Sequence, residues 1–145
     1  MSQIGTIIQS IANMSVNGIT AKYNNTIRSN IESVNLPYRF IDHRNAGIEI
    51  GESVRVTLGS TTTRTDWVIT DIMLYRAVNA GINQGTVSLD VYGYMGEYAS
   101  SVRAIATSKY VILRVSGKTE LLEYPEQSGR AYDGVVMQVF LREIV

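Results

Sequence analysis

Two segments of this chain are apolar on both faces of an extended backbone, and this restricts the fold more than any other feature. In residues 61–77, Val68, Ile72 and Leu74 fall on one side of a strand, and Trp67, Ile69, Met73 and Tyr75 on the other. A strand of that kind fits only where both faces of its sheet are covered. Residues 135–144 are likewise apolar on both faces and read as a central strand. A chain with two such strands needs enough partner elements to cover them.

The rest of the sequence supplies candidates. Ile4, Ile7, Ile8 and Ile11 recur at the spacing of one helical face, which predicts a helix over residues 3–14 with Ser2 as its N-cap. Asn17-Gly18 marks a turn, because both residue types tolerate positive φ. An extended stretch is expected over 19–23, and a capping-box pattern at Ser29-Asn30-Ile31-Glu32 suggests one helical turn before Leu36-Pro37. Pro37 disfavours helix at Leu36, so Tyr38-Arg39-Phe40-Ile41 reads as a strand. Residues 47–50 and 54–58 alternate as strands, with a hairpin at Gly59-Ser60 leading into the long strand. A loop is expected over 79–86. Residues 87–91 alternate as a strand would, but Val91, Met95, Tyr98, Val102 and Ile105 repeat at helical spacing, which predicts a second helix over about 90–106. Gly93 and Gly96, three apart, suggest close packing of that helix on a neighbouring backbone. After it, residues 110–115 read as a strand turned at Gly117, residues 120–124 as a second strand ended by Pro125, and 126–133 as a polar loop.

These elements describe an α+β fold: a mixed, largely antiparallel sheet, flanked on one face by an N-terminal helix and a second, central helix. The 145 residues suit a single domain. Its predicted core includes Ile7, Ile11, Ile72, Leu74, Val102, Val139 and Leu141.

The chemistry open to the chain is narrow. It has no cysteine and one histidine. A disulfide framework, a thiolate metal site and a thiol nucleophile are therefore excluded, and zinc lacks its usual ligands. His43 sits in the charged segment Asp42-His43-Arg44-Asn45, where a solvated loop histidine is the default and a hydrolase base the weaker alternative. Asp66 and Asp71 are separated by an odd number of positions on one strand, so they fall on opposite faces and cannot form an acid pair. Asp71 stands among apolar neighbours and is expected to be partly buried, with a structural salt bridge or backbone hydrogen bond favoured over a catalytic role. No nucleophile elbow, P-loop or dinucleotide fingerprint occurs, so no catalytic, cofactor or metal residue is assigned. Thirteen basic residues balance thirteen acidic ones and are scattered, which predicts neither duplex DNA binding at physiological salt nor attachment to a membrane. No apolar run is long enough to span a bilayer, and no signal peptide is evident, so a soluble protein is expected.

Two features point instead to protein contacts. Charged residues make up 18% of the chain, below the usual ~25%. Nine tyrosines stand beside two phenylalanines and one tryptophan, and Tyr92 cannot share the inward face of the second helix. The loops over 42–53, 79–86 and 125–133 are expected to carry much of the intersubunit contact, and the first and third hold complementary charge. The candidate interface residues are accordingly Arg44, Glu49, Glu52, Tyr92, Glu126, Arg130 and Asp133.

The order of elements resembles that of tail-terminator and tail-completion (neck) proteins of long-tailed bacteriophages and phage-like particles. The similarity lies in organisation and not in a signature motif. An amphipathic N-terminal helix leads to an extended segment near Asn35-Leu36-Pro37. A strand resembling the family's follows at 65–74, then a glycine-bearing loop, a helix over 94–102 and a closing strand over 132–140. The resemblance covers most of residues 1–145 as one tail-terminator-like domain. It implies a structural subunit, not an enzyme, that forms a homo-oligomeric and typically hexameric ring in the virion. Such a ring caps the tail tube, with the tail tube protein on one side and a head-completion or connector protein on the other. The alternative from a different class is a small, non-enzymatic ligand-binding module with a pocket between the sheet and the second helix.

Overall fold

The long apolar segment takes the middle of the sheet. The structure, a computed structural model, describes residues 4–22, 36–41, 48–49, 56–58, 62–78, 90–105, 110–124 and 129–144. The segment forms strand β5 (Thr62–Ala77), and along one of its edges run, antiparallel, β2 (Tyr38–Ile41), β3 (Ile48–Glu49) and β4 (Val56–Leu58). Its other edge pairs with β7 (Ala131–Ile144), which in turn pairs with β6 (Tyr110–Glu123). The short β1 (Ala21–Lys22) joins β2 in parallel, so the sheet is mixed but largely antiparallel. Helices α1 (Ile4–Asn13) and α2 (Val91–Ala104) complete the α+β fold.

The two apolar faces of β5 and β7 each support a core. Ile69 and Met73 of β5, with Val135, Met137, Val139 and Leu141 of β7, pack against Ile7, Ile8 and Ile11 of α1 and Tyr94, Tyr98 and Val102 of α2. Both helices therefore lie on one face. The opposite face carries Ile72, Leu74 and Val136 under an aromatic group of Tyr38, Phe40, Tyr124 and Tyr132, in which the Phe40 and Tyr124 rings are 5.0 Å apart. All seven predicted core residues are buried, the most exposed being Ile72 at 8%.

Local signals hold where the backbone alone decides. Asn17 and Gly18 both have positive φ, at 51° and 77°. The turn they make closes an antiparallel bridge between Val16 and Ile19. Leu58 pairs with Thr62, as a hairpin requires. Gly59, Ser60, the cap residue Ser2, the helical turn proposed at 29–32 and the loop at 79–86 lie outside the described residues.

Three expectations are corrected. Gly117 does not turn the chain, because β6 runs unbroken from Tyr110 to Glu123, paired to β7 along its length. Gly117 stands opposite Met137, and a Cβ there would lie 2.6 Å from the Met137 sulfur, so the glycine makes room for methionine packing. The polar loop before the last strand is shorter than expected, since β7 begins at Ala131 and takes in Asp133. Finally, Gly93 and Gly96 do not pack α2 on a backbone. Both are exposed, and a Cβ on Gly96 would meet nothing within 4 Å. Gly93 instead accommodates the N-cap: its N–H donates to Asp90 Oδ1 at 2.9 Å, and a Cβ would collide with that carboxylate. The buried stripe of α2 is Tyr94, Tyr98 and Val102, while Val91, Met95 and Ile105 sit at its margin.

Candidate functional site

The polar centre of the molecule is an ion pair sealed between the sheet and the helices. Arg39 of β2 and Asp71 of β5 lie on adjacent strands, Ile41 being the register partner of Asp71 and Met73 that of Arg39. Residues two apart on a strand share a face, so both side chains turn toward the helices. Arg39 Nε donates to both Asp71 oxygens at 3.1 Å, and Nη2 donates to Oδ2 at 2.6 Å. The Tyr98 hydroxyl, from α2, donates to the same Oδ2 at 2.8 Å. The Arg39 guanidinium lies 5.4 Å from the centre of the Tyr98 ring. The side chains of Arg39 and Asp71 are at most 1% exposed.

The remaining donors of Arg39 hold α1. Nη2 donates to the Ile11 carbonyl at 2.9 Å, and Nη1 to the carbonyls of Met14 at 2.6 Å and Ile19 at 3.1 Å. The last turn of α1 has no basic residue of its own. A cation from β2 therefore meets the negative end of the helix dipole and adds a donor to the Ile11 carbonyl, which also accepts from the Met14 N–H. One arginine thus ties α1, the Asn17-Gly18 turn, β5 and, through Asp71, α2.

The electrostatics follow from burial and pairing. Burial alone would lower the Arg39 value, but the Asp71 carboxylate reverses this and holds the guanidinium above its ordinary range. Burial pushes the Asp71 carboxyl up, against the pull of Arg39 and of the Tyr98 hydroxyl. Tyr98 is raised well above its ordinary value by burial and by the Asp71 charge, and Tyr94 is raised for the same reasons. These groups are matched to one another and have no access to solvent, which is the arrangement of a structural network. Asp71 is paired as the sequence suggested. Asp66, on the other face, makes a separate cross-strand pair with Arg142 at 2.8 Å.

Tyr94 differs from Tyr98. Its hydroxyl is buried beside this network and has no hydrogen-bond partner among the described residues; Trp67 Nε1 is likewise buried without one. An unsatisfied buried hydroxyl costs about 1–3 kcal/mol, so its removal is favourable, whereas removing a donor from a buried carboxylate costs a similar amount. Tyr94→Phe is therefore expected to raise the stability measured by urea unfolding by about 1 kcal/mol, and Tyr98→Phe to lower it by about 1–3 kcal/mol. Equal effects of the two substitutions would contradict this assignment of the hydroxyls.

The candidate interface residues that are described, Glu49, Tyr92, Arg130 and Asp133, are spread over β3, α2 and the start of β7. Arg44, Glu52 and Glu126 lie outside the described residues, as does His43. Glu49 lies on β3, opposite Val68. Tyr92 is 84% exposed on the outer side of α2. Arg130 is exposed at the turn between β6 and β7, where its carbonyl accepts from the Tyr124 N–H at 3.0 Å. Asp133 is engaged within the protomer, because Arg76 Nε donates to its Oδ2 at 2.6 Å. Sequence reasoning missed the apolar residues exposed on β6: Val111, Leu113 and Leu121. It also missed Arg39, although an arginine between a tyrosine and a phenylalanine on a predicted strand is itself a signal that a carboxylate must lie nearby.

Among the described residues, no group of three or more metal-ligating side chains occurs, and no helix is long and apolar enough to cross a membrane. No protein-family model matches the chain, and no curated protein matches it at a significant level.

Proposed function

We propose that this chain is a structural, ring-forming subunit of a phage or phage-like tail or neck. In this reading it caps the tail tube in the virion, joins the tube to the head-completion complex and catalyses no reaction. The observation that carries the reading is the surface: large apolar side chains stand exposed, with Tyr92 at 84% on α2 and Leu121 at 62% on β6. Meanwhile charges such as Arg39, Asp71, Arg142 and Asp66 are used up in pairs within the protomer. A surface of that kind favours association with other protein. The order of elements, from amphipathic helix through long central strand and second helix to a closing strand, supports the resemblance to tail-terminator proteins.

The ligand-binding alternative has less support. The space between the sheet and α2 is filled by the fully buried side chains of Tyr94, Tyr98 and Val102 against Met73 and Val139. The test is the mass of the full chain in solution by light scattering, followed by electron microscopy of the particles. A ring of about six times the 16.0 kDa chain mass supports the proposal. A species that stays monomeric alone and does not associate with a tail tube protein defeats it.

A further inference from the structure

β6 is the outer strand of the sheet, and among the described residues it pairs with β7 alone. Of its fourteen residues only Tyr110 is buried. Val111, Leu113 and Leu121 are 44%, 46% and 62% exposed. An edge strand of this length presents a row of unpaired N–H and C=O groups that another strand can take up. The register shift of β6 falls between Ile112 and Arg114, so residues from Arg114 to Glu123 form a regular edge.

We infer that this edge pairs with the same edge of a second copy of the chain, antiparallel and centred on Gly117. The side chains select that occupant and that register. With Gly117 opposite Gly117, Ser116 faces Lys118, Val115 faces Thr119, and Arg114 faces Glu120 of the second copy. The two-fold axis repeats each pair. Arg114 and Glu120 thus make two opposite-charge cross-strand pairs, of the kind that stabilises sheets, and no like charges stand directly opposite one another. Arg114 is held over this face by stacking on Phe140, with 4.1 Å from guanidinium to ring centre. Glu120 lies beside Lys118 at 3.4 Å, and both are exposed. Such pairing is isologous and closes at two copies, so it is separate from the contacts of a cyclic ring and does not depend on the ring reading.

The experiment is light scattering of the full chain over a concentration series, with Arg114→Glu, Glu120→Arg and the double reversal. Both positions are exposed, and unchanged melting temperatures would establish that the variants fold. The expected result is self-association that each single reversal weakens roughly tenfold or more, and that the double reversal restores because the charges again complement. A second variant, Ser116→Cys with Lys118→Cys, is expected to give a covalent dimer under oxidising conditions, since the chain has no other cysteine. Assembly indifferent to both single reversals, or failure of the cysteine pair to cross-link, would overturn the inference.

Discussion

Asp71→Ala is expected to lower the unfolding free energy by about 3–5 kcal/mol, because it leaves the Arg39 guanidinium buried with no counter-charge. For a domain of this size that is a large share of the total, which is typically about 5–15 kcal/mol. The loss should not stay local. Arg39 also holds the carbonyls of Ile11, Met14 and Ile19, so a displaced guanidinium releases the end of α1 from the sheet. The Tyr98 hydroxyl loses its acceptor at the same time. Urea unfolding followed by circular dichroism measures the effect. The informative control is the pair Arg39→Met with Asp71→Leu. Replacing a buried ion pair by apolar side chains of similar size is often neutral, so the double variant should recover much of the loss. The Met14 carbonyl would lose its guanidinium donor, while those of Ile11 and Ile19 keep the N–H groups of Met14 and Val16, and recovery is expected to stop short of the parent by about 1–3 kcal/mol. A single Asp71→Ala variant as stable as the parent would show that the network does not hold the helices.

Leu141→Ala is expected to cost about 2–5 kcal/mol in the same measurement. Leu141 is fully buried in β7, between Trp67 of β5 and Ile112 of β6 in register, on the face covered by the helices. β7 is flanked on both sides by long strands, so the backbone there has little freedom to collapse into the cavity, and the cost should fall in the upper part of that range. Val111→Ala, its side chain 44% exposed on β6, serves as the comparison and should change stability by about 0.5 kcal/mol or less. Equal costs at the two positions would mean that the assigned faces of the sheet are wrong.

Most of the fold could be read from the sequence because hydrophobic periodicity is local. The two-sided apolar pattern of β5, the isoleucine stripe of α1 and the Asn17-Gly18 turn each need only a few consecutive residues to be recognised. The failures have equally specific causes. Gly117 favours a turn by itself, but it is followed and preceded by residues that pair with β7 throughout, and the ladder outweighs the local preference. The stripe of α2 was placed over Met95, whereas the fully buried residue one position earlier is Tyr94. Neighbouring positions on a helix differ by about 100°, and both can border an apolar face.

The candidate site was legible in part. A structural pairing of Asp71 is legible because a charged carboxylate among apolar residues is costly to bury without a partner. Its partner was not identified, since Arg39 lies 32 residues away and nothing local links them. Asp133 was grouped with loop charges that could meet another subunit, but its position in β7 brings it to Arg76.

By itself, then, the sequence determined most of the helix and strand segments, the apolar faces of the long strands and which chemistries lack their residues. Each of those follows from the order of residues along a short stretch. Only the tertiary structure decided how β2 and β7 flank β5, which arginine neutralises Asp71, and that β6 is left at the edge with Leu113, Leu121, Arg114 and Glu120 exposed. Those depend on pairings between strands far apart in the chain, whose selection rests on the packing of the whole core and leaves no mark on any one segment.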